Sequence, residues 1–129
     1  MVIDCDPGTE IFPRKILNYI AEEKMIDYIL IVLDGSKMSL DTARDIIKEI
    51  KKSDIKVGSV YGICNRLDDF DLQKEIRKVA KDDYGIEIIG FIPTDQEISK
   101  RSFRNQSILN IPNSISYNAM KDVLKSLNI

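Results

Sequence analysis

Apolar positions along the chain follow two alternating rhythms. Ile26, Tyr28, Ile29, Leu30, Ile31, Val32 and Leu33 form a nearly unbroken apolar run. A run of this length fits a strand covered on both faces, as in a parallel sheet. Asp34-Gly35-Ser36 ends it. From about Ser39 to Lys52 the rhythm becomes helical, with Leu40, Ala43, Ile47 and Ile50 on one face and Ser39 placed as a cap. Ile55 to Cys64 reads as a second strand, closed by Asn65-Arg66. Leu72, Ile76 and Val79 mark a helix ending near Tyr84-Gly85, and Ile86 to Ile92 reads as a strand ending in Pro93-Thr94-Asp95. A short helix starts at about Asp95, and a loop runs from Arg101 to Asn113. Ser114 then caps a last helix lined by Ile115, Ala119, Val123 and Leu127. Upstream of all these, Val2-Ile3 is an apolar stub leading into the acidic loop Asp4-Cys5-Asp6-Pro7-Gly8. Arg14 to Lys24 follows as a helix, with Ile16, Leu17 and Ile20 on one side.

Strands alternating with helices predict βαβ crossovers, hence one α/β domain over residues 1–129 with a mostly parallel sheet flanked by helices. In such sheets, sites form in the loops beyond the carboxyl ends of the strands. Here those loops are Asp4–Glu10, Asp34–Ser39, Asn65–Asp69 and Pro93–Glu97.

Composition narrows the chemistry. The chain has 129 residues, enough to bury a core. It carries 19 basic and 21 acidic side chains, a net charge of -2, which argues against a dedicated nucleic-acid binder. No apolar run approaches the roughly 18–20 residues of a membrane helix. The first residues carry no basic and apolar leader, so a cytoplasmic protein is expected. Histidine is absent, which excludes Ser-His-Asp and Cys-His nucleophiles and His-ligated zinc for this chain acting alone. The two cysteines, Cys5 and Cys64, make neither a disulfide framework nor a four-thiolate site, and read as reduced thiols.

The loops hold the candidate chemistry. Asp4 and Asp6 are a carboxylate pair suited to a hard cation, directly or through water. Gly8 permits a sharp turn whose amide faces a phosphate. The plain alternative is an Asp/Pro/Gly turn that only starts a loop. Asn65 offers the donor and acceptor needed to read a purine edge, and Arg66 can stack on a base or bind phosphate. The alternative there is a polar loop with a helix cap at Asp68 or Asp69. Pro93-Thr94-Asp95 either presents backbone to a ligand or simply terminates a strand and caps a helix. Cys5 is either a ligand in a site shared between subunits or a small packed residue.

Four of these segments, in order, resemble one family. Asp4, Gly8, Glu10, Phe12 and Arg14 fit the switch II segment of the MinD/nitrogenase-iron-protein (SIMIBI) class of ATPases, which reads about D-T-E-A-G-I-E-H-F-x-R. Asp6 stands for the glutamate, Pro7 for the alanine and Ile11 for the histidine. The segment looks closest to the carbon monoxide dehydrogenase maturation ATPases of the CooC type. Ile29 to Ser36 and Ser39 to Ala43 resemble the strand and helix start that follow. Asn65-Arg66 resembles the adenine-reading pair, and Ile89 to Ile98 resembles G-x-I-P-x-D-x-x-I.

The departure is the phosphate site. No G-x-x-x-x-G-K-[ST], nor the family's variant with an extra lysine, occurs in the chain, and the upstream C-x-C metal motif is missing too. The chain therefore looks like the C-terminal half of such an ATPase, a partial P-loop fold of the deviant Walker A type. P-loop amides and lysine supply much of the charge stabilisation in phosphoryl transfer, so hydrolysis by this chain alone is not expected.

The resemblance implies ATP or ADP with Mg2+ as ligand. Asp4, with Asp6, would hold a magnesium-bound water, and Gly8 would sense the γ-phosphate. Asn65 would read adenine, with Arg66, Pro93, Thr94 and Asp95 as pocket walls. It implies a separate P-loop-bearing partner and a metalloenzyme client in nickel-centre maturation. In the family, the P-loop strand lies between the switch II strand and the strand at Ile26–Leu33. Without it, either Val2-Ile3 pairs with Ile26–Leu33 or that strand keeps an open edge that invites a partner or a second copy. Two other readings compete. One is a non-catalytic relic that oligomerises. The other is a receiver-like phosphoacceptor with Asp34 as acceptor and Asp4 and Asp6 as its acid pair, but with no lysine at Ile92-Pro93 and with Asn65 where Ser or Thr belongs.

Overall fold

The computed structural model describes residues 2–5 and 25–129. Three strand–helix units follow one another: β1 Ile26–Leu33, α1 Lys37–Lys52, β2 Val57–Asn65, α2 Phe70–Tyr84, β3 Ile88–Ile92 and α3 Gln96–Phe103. A last helix, α4, spans Ile115–Ser126. The sheet has the order β1-β2-β3 and every pairing is parallel, so the α/β reading holds. Leu33 pairs with Cys64 and Asn65 with Ile92, so the three strands end in one row and their outgoing loops share one edge.

Two apolar layers sandwich the sheet. On one face Ile29, Ile31, Leu33, Cys64 and Ile88 pack with Leu40, Ala43 and Ile50 of α1 and with Ile76 and Ala80 of α2. On the other, Ile63 and Ile92 meet Val123 of α4, with Leu30 and Ile89 beside them. The ladder slips by one residue between Gly62↔Ile88 and Ile63↔Gly90. This bulge breaks the alternation of faces: Ile89 and Ile92, three positions apart, both belong to the α4 layer, while Ile88 and Phe91 belong to the α1/α2 layer.

Helix ends follow local chemistry. Ser36, not Ser39, is the N-cap of α1: its hydroxyl oxygen accepts from the Ser39 amide at 3.1 Å. The Asp34 carboxylate accepts from the Ser36 amide at 2.9 Å, and Gly35 turns at φ +83°, so the helix starts sooner than its apolar rhythm. Asp69 caps α2 by accepting from the Leu72 amide at 2.8 Å, and Gly85 closes it at φ +66°. The Ile86 amide donates to Ala80 of that helix at 2.9 Å. That bond is why β3 begins at Ile88 rather than at the expected Ile86. Pairing with β1 begins at Val57, so β2 likewise starts two residues later than Ile55.

At the β1 side one expectation fails, and of the two alternatives for Val2-Ile3 the pairing is not formed. The apolar run is not covered on both faces: Ile29, Ile31 and Leu33 are buried, but Val32 is 66% exposed and Tyr28 is exposed too. Among the described residues, the helix on that face, α4, sits over β3 rather than β1. Nor does Val2-Ile3 join the sheet. Val2 is 96% exposed, and residues 2–5 belong to no ladder, so Asp4 follows no strand. Among the described residues, β1 has a strand neighbour on one side only. The expected helix Arg14–Lys24 lies outside the described residues, as do Asp6 and Gly8. No helix among the described residues is long and apolar enough to cross a membrane.

Candidate functional site

The loops after β2 and β3 meet at the carboxyl edge of the sheet. Asn65 is the last residue of β2 and is half-buried. Arg66 follows at φ 57°, in the left-handed region. The other non-glycine residues there among the described ones are all asparagines (Asn105, Asn110, Asn113 and Asn128). Asparagine tolerates this conformation, whereas a long side chain is strained by it. Strain of this kind collects at functional positions.

The turn at Arg66 brings the chain back across β3. The Leu67 amide donates to the Ile92 carbonyl at 3.2 Å. The Thr94 amide donates to the Asp68 carboxylate at 2.8 Å, a bond spanning 26 positions of chain. The Gln73 side-chain amide donates to the Leu67 carbonyl at 2.8 Å and secures the turn from α2. The β1 loop joins through Gly35, where an added Cβ would lie 3.1 Å from Ile76 Cδ1 and 3.5 Å from Leu67 Cδ1.

Asp95 anchors the far side. Its carboxylate accepts from the amides of Glu97 (3.1 Å) and Ile98 (3.3 Å), capping α3. It also accepts from the Ser114 hydroxyl (2.7 Å), the Ser116 hydroxyl (3.1 Å) and the Ser116 amide (3.3 Å) at the start of α4. The Ser114 hydroxyl holds the Asp95 carboxyl down at a pKa of about 2, against an ordinary 3.8, and the amides of Ile98 and Ser116 add to the effect. Ser36 similarly lowers Asp34, through its hydroxyl and its amide.

The structure thus brings together Asn65, Arg66, Pro93, Thr94 and Asp95. Arg66 and Thr94 are exposed, and Pro93 is half-buried. Asp95 stands in this group as a framework residue whose oxygens are already engaged. Asp4 is exposed, and Asp6 and Gly8 lie outside the described residues. Among the described residues no group of three or more acidic, cysteine or histidine side chains could hold a metal ion. Asp68, Gln73, Ser114 and Ser116 complete the cluster without having been singled out as site residues. Asp68 carried a signal, its place beside Asp69, but only as a helix cap. A groove of about 320 Å³ between β3 and α4, lined by Ile89, Phe91, Ala119 and Asp122, is separate from these loops.

Residues 18–127 match the model of a family described as 4Fe-4S iron sulfur cluster binding proteins, NifH/frxC family. The chain is also similar to two uncharacterized ATP-binding proteins of Methanocaldococcus jannaschii. One is 31% identical over 131 residues, covering 99% of this chain and 44% of the relative. The other is 24% identical over 128 residues, covering 98% of this chain and 47% of the relative. The chain therefore spans about half the length of the curated relatives it matches.

The residues present do not fit a 4Fe–4S cluster. A cluster takes four thiolates, so two copies of the chain would each have to offer both of their cysteines, Cys5 and Cys64. Cys64 is fully buried between β1, α1 and α2, and burial pushes its thiol up to about 11. Only Cys5 is partly open to solvent.

Proposed function

The chain belongs to the NifH/frxC family, whose members are nucleotide-binding, ATPase-like proteins of the NifH/MinD type, and on that premise we propose that it is an adenine-nucleotide-binding portion of such an ATPase. One observation carries the reading. The β2 and β3 loops are tied together at the carboxyl edge of a parallel sheet, with Asn65 between a strained Arg66 and the Pro93-Thr94 turn. Ligands of open α/β sheets bind at that edge. The Asn65 carboxamide offers one donor group and one acceptor to the adenine edge. Arg66 stacks on the base or pairs with phosphate. Pro93 and Thr94 form the opposite wall, and Asp95 holds that wall in place through its two helices.

Phosphate binding falls to a P-loop-bearing partner, since the chain contains no such motif. Asp4, Asp6 and Gly8 are the switch residues that would meet the partner's nucleotide and Mg2+. The two ATP-binding relatives support the choice of ligand. The resemblance to maturation ATPases of the CooC type supports a cytoplasmic role in metallocentre assembly, with a nickel enzyme as client. Hydrolysis then requires the partner.

Equilibrium titration of the purified chain with ATP, ADP and GTP, with and without magnesium, tests the reading. The expected result is weak binding that prefers adenine, ignores magnesium and is lost in Asn65→Ala. Binding that does not distinguish adenine from guanine, or no binding at millimolar nucleotide, refutes it.

A second reading rests on β1. Its outer edge has no strand neighbour among the described residues, and beside that edge Val32 is exposed on the sheet face that α4 leaves open. In this reading the chain is a non-catalytic module that pairs with a second copy through that edge. It predicts a concentration-dependent dimer, dispersed by Val32→Lys and indifferent to nucleotide in sedimentation. The family match leaves the receiver-like alternative without support.

A further inference from the structure

We infer that Asp68 is a positioning residue for the base pocket, an inference that rests on the adenine-binding reading above. Adjacent aspartates divide two tasks. Asp69 caps its own helix through the Leu72 amide. Asp68 caps nothing; its carboxylate reaches across the edge to the Thr94 amide at 2.8 Å. Pro93 has no N–H, so Thr94 carries the first free donor after β3. Where that donor points decides where Pro93 and Thr94 stand relative to Asn65.

Every other contact of the β2 turn serves the same placement. Arg66 in the left-handed region reverses the chain, the Leu67 amide takes the Ile92 carbonyl, and Gln73 takes the Leu67 carbonyl. The result is a clamp with Asn65 on one jaw and Pro93-Thr94 on the other. Asp68 is the one side chain joining the two jaws directly among the hydrogen bonds of the described residues. Its bond is charge-assisted yet exposed, so it contributes little to global stability while holding the gap between the jaws. A pocket held open in advance binds more tightly than one that must be ordered by its ligand.

The test compares Asp68→Ala and Asp68→Asn in the full chain. Asparagine keeps the side-chain oxygen that accepts from Thr94, whereas alanine removes it. Affinities for ATP, ADP and adenosine are measured by titration, with thermal melts and amide exchange at Thr94 in parallel. Asp68→Ala should weaken all three ligands by a similar factor, roughly three- to tenfold, the size of one exposed charge-assisted bond. The Thr94 amide should exchange faster, the melting temperature should hold, and Asp68→Asn should restore most of the affinity. Wild-type affinity in Asp68→Ala overturns the inference and leaves the functional reading standing. So does a loss that tracks a lowered melting temperature and is not rescued by asparagine. Absence of adenosine and ATP binding by the unsubstituted chain overturns the functional reading, and the inference falls with it.

Discussion

Asp95 accepts a 2.7 Å hydrogen bond from the Ser114 hydroxyl across 19 positions of chain, so one carboxylate serves the first turns of two helices. Ser114 is in turn the N-cap of α4, accepting from the Tyr117 amide at 3.1 Å. The loop from Arg104 to Asn113 is therefore closed by a polar knot rather than by apolar packing. Its exposed Ile108 and Leu109 agree with that.

The knot sets an acid dependence. The Asp95 pKa falls from 3.8 in the unfolded chain to about 2 in the fold, so its stabilisation is complete above about pH 4. It is lost as pH falls through about 2. Thermal melts from pH 2 to 7 should show this slope, and Asp95→Asn should flatten it. Asp95→Ala should lower the melting temperature at pH 7 by more than Ser114→Ala, because it uncaps α3 and releases α4 together. Equal effects of the two would show that the knot is not shared.

Gly90 is where α4 touches the sheet most closely. A Cβ there would run into Val123 Cγ2. Gly90→Ala should destabilise the chain by about 1–3 kcal/mol in urea unfolding, the usual cost of overpacking. Val123→Ala removes the obstacle, so the double variant should lose less than the sum of the single changes. Strict additivity would mean that α4 does not rest on Gly90.

Arg66 should separate stability from binding. Glycine adopts φ 57° freely, so Arg66→Gly should stabilise the fold by about 0.5–1 kcal/mol. The same change removes the guanidinium, so nucleotide affinity should fall. A variant that is more stable and binds equally well would remove Arg66 from the pocket.

The cysteines offer a check independent of nucleotide. Native protein should react with a thiol reagent at Cys5 alone, and at both cysteines once denatured, because the buried Cys64 thiol is pushed up to about 11. Anaerobic incubation with iron and sulfide should give no cluster absorbance on this chain. A stable cluster lost in Cys64→Ser would overturn the burial argument.

Much of this was legible in the residues. The strand rhythm of Ile26–Leu33, the helical rhythm from about Ser39 to Lys52, the Gly85 stop, the caps at Asp95 and Ser114 and a cap at Asp68 or Asp69 are local signals. They depend on neighbours within a few positions, and those neighbours are visible in the linear order. The row of loops followed from strand–helix alternation, and with it the grouping of Asn65-Arg66 with Pro93-Thr94-Asp95. Ser36 was missed as the α1 cap because the Asp34 turn, not the apolar rhythm, decides where that helix starts.

What the sequence determined by itself was the class of each element from Ile26 onward, the parallel sheet and the family, because periodicity and short motifs are written in adjacent residues. What only the tertiary structure decided was which face stays open and which polar groups meet. Val32 belongs to an apolar run but faces outward, because α4, the helix on its side of the sheet among the described residues, packs on β3 instead. Asp68 reads as a cap but reaches Thr94, and Asp95 reads as a cap for one helix but serves two. Their partners lie 26 and 19 positions away, and a carboxylate's type gives no sign of the donor it will face. Register, the bulge at Ile89 and the left-handed turn at Arg66 bring those donors within reach, and all three arise only once the sheet is assembled.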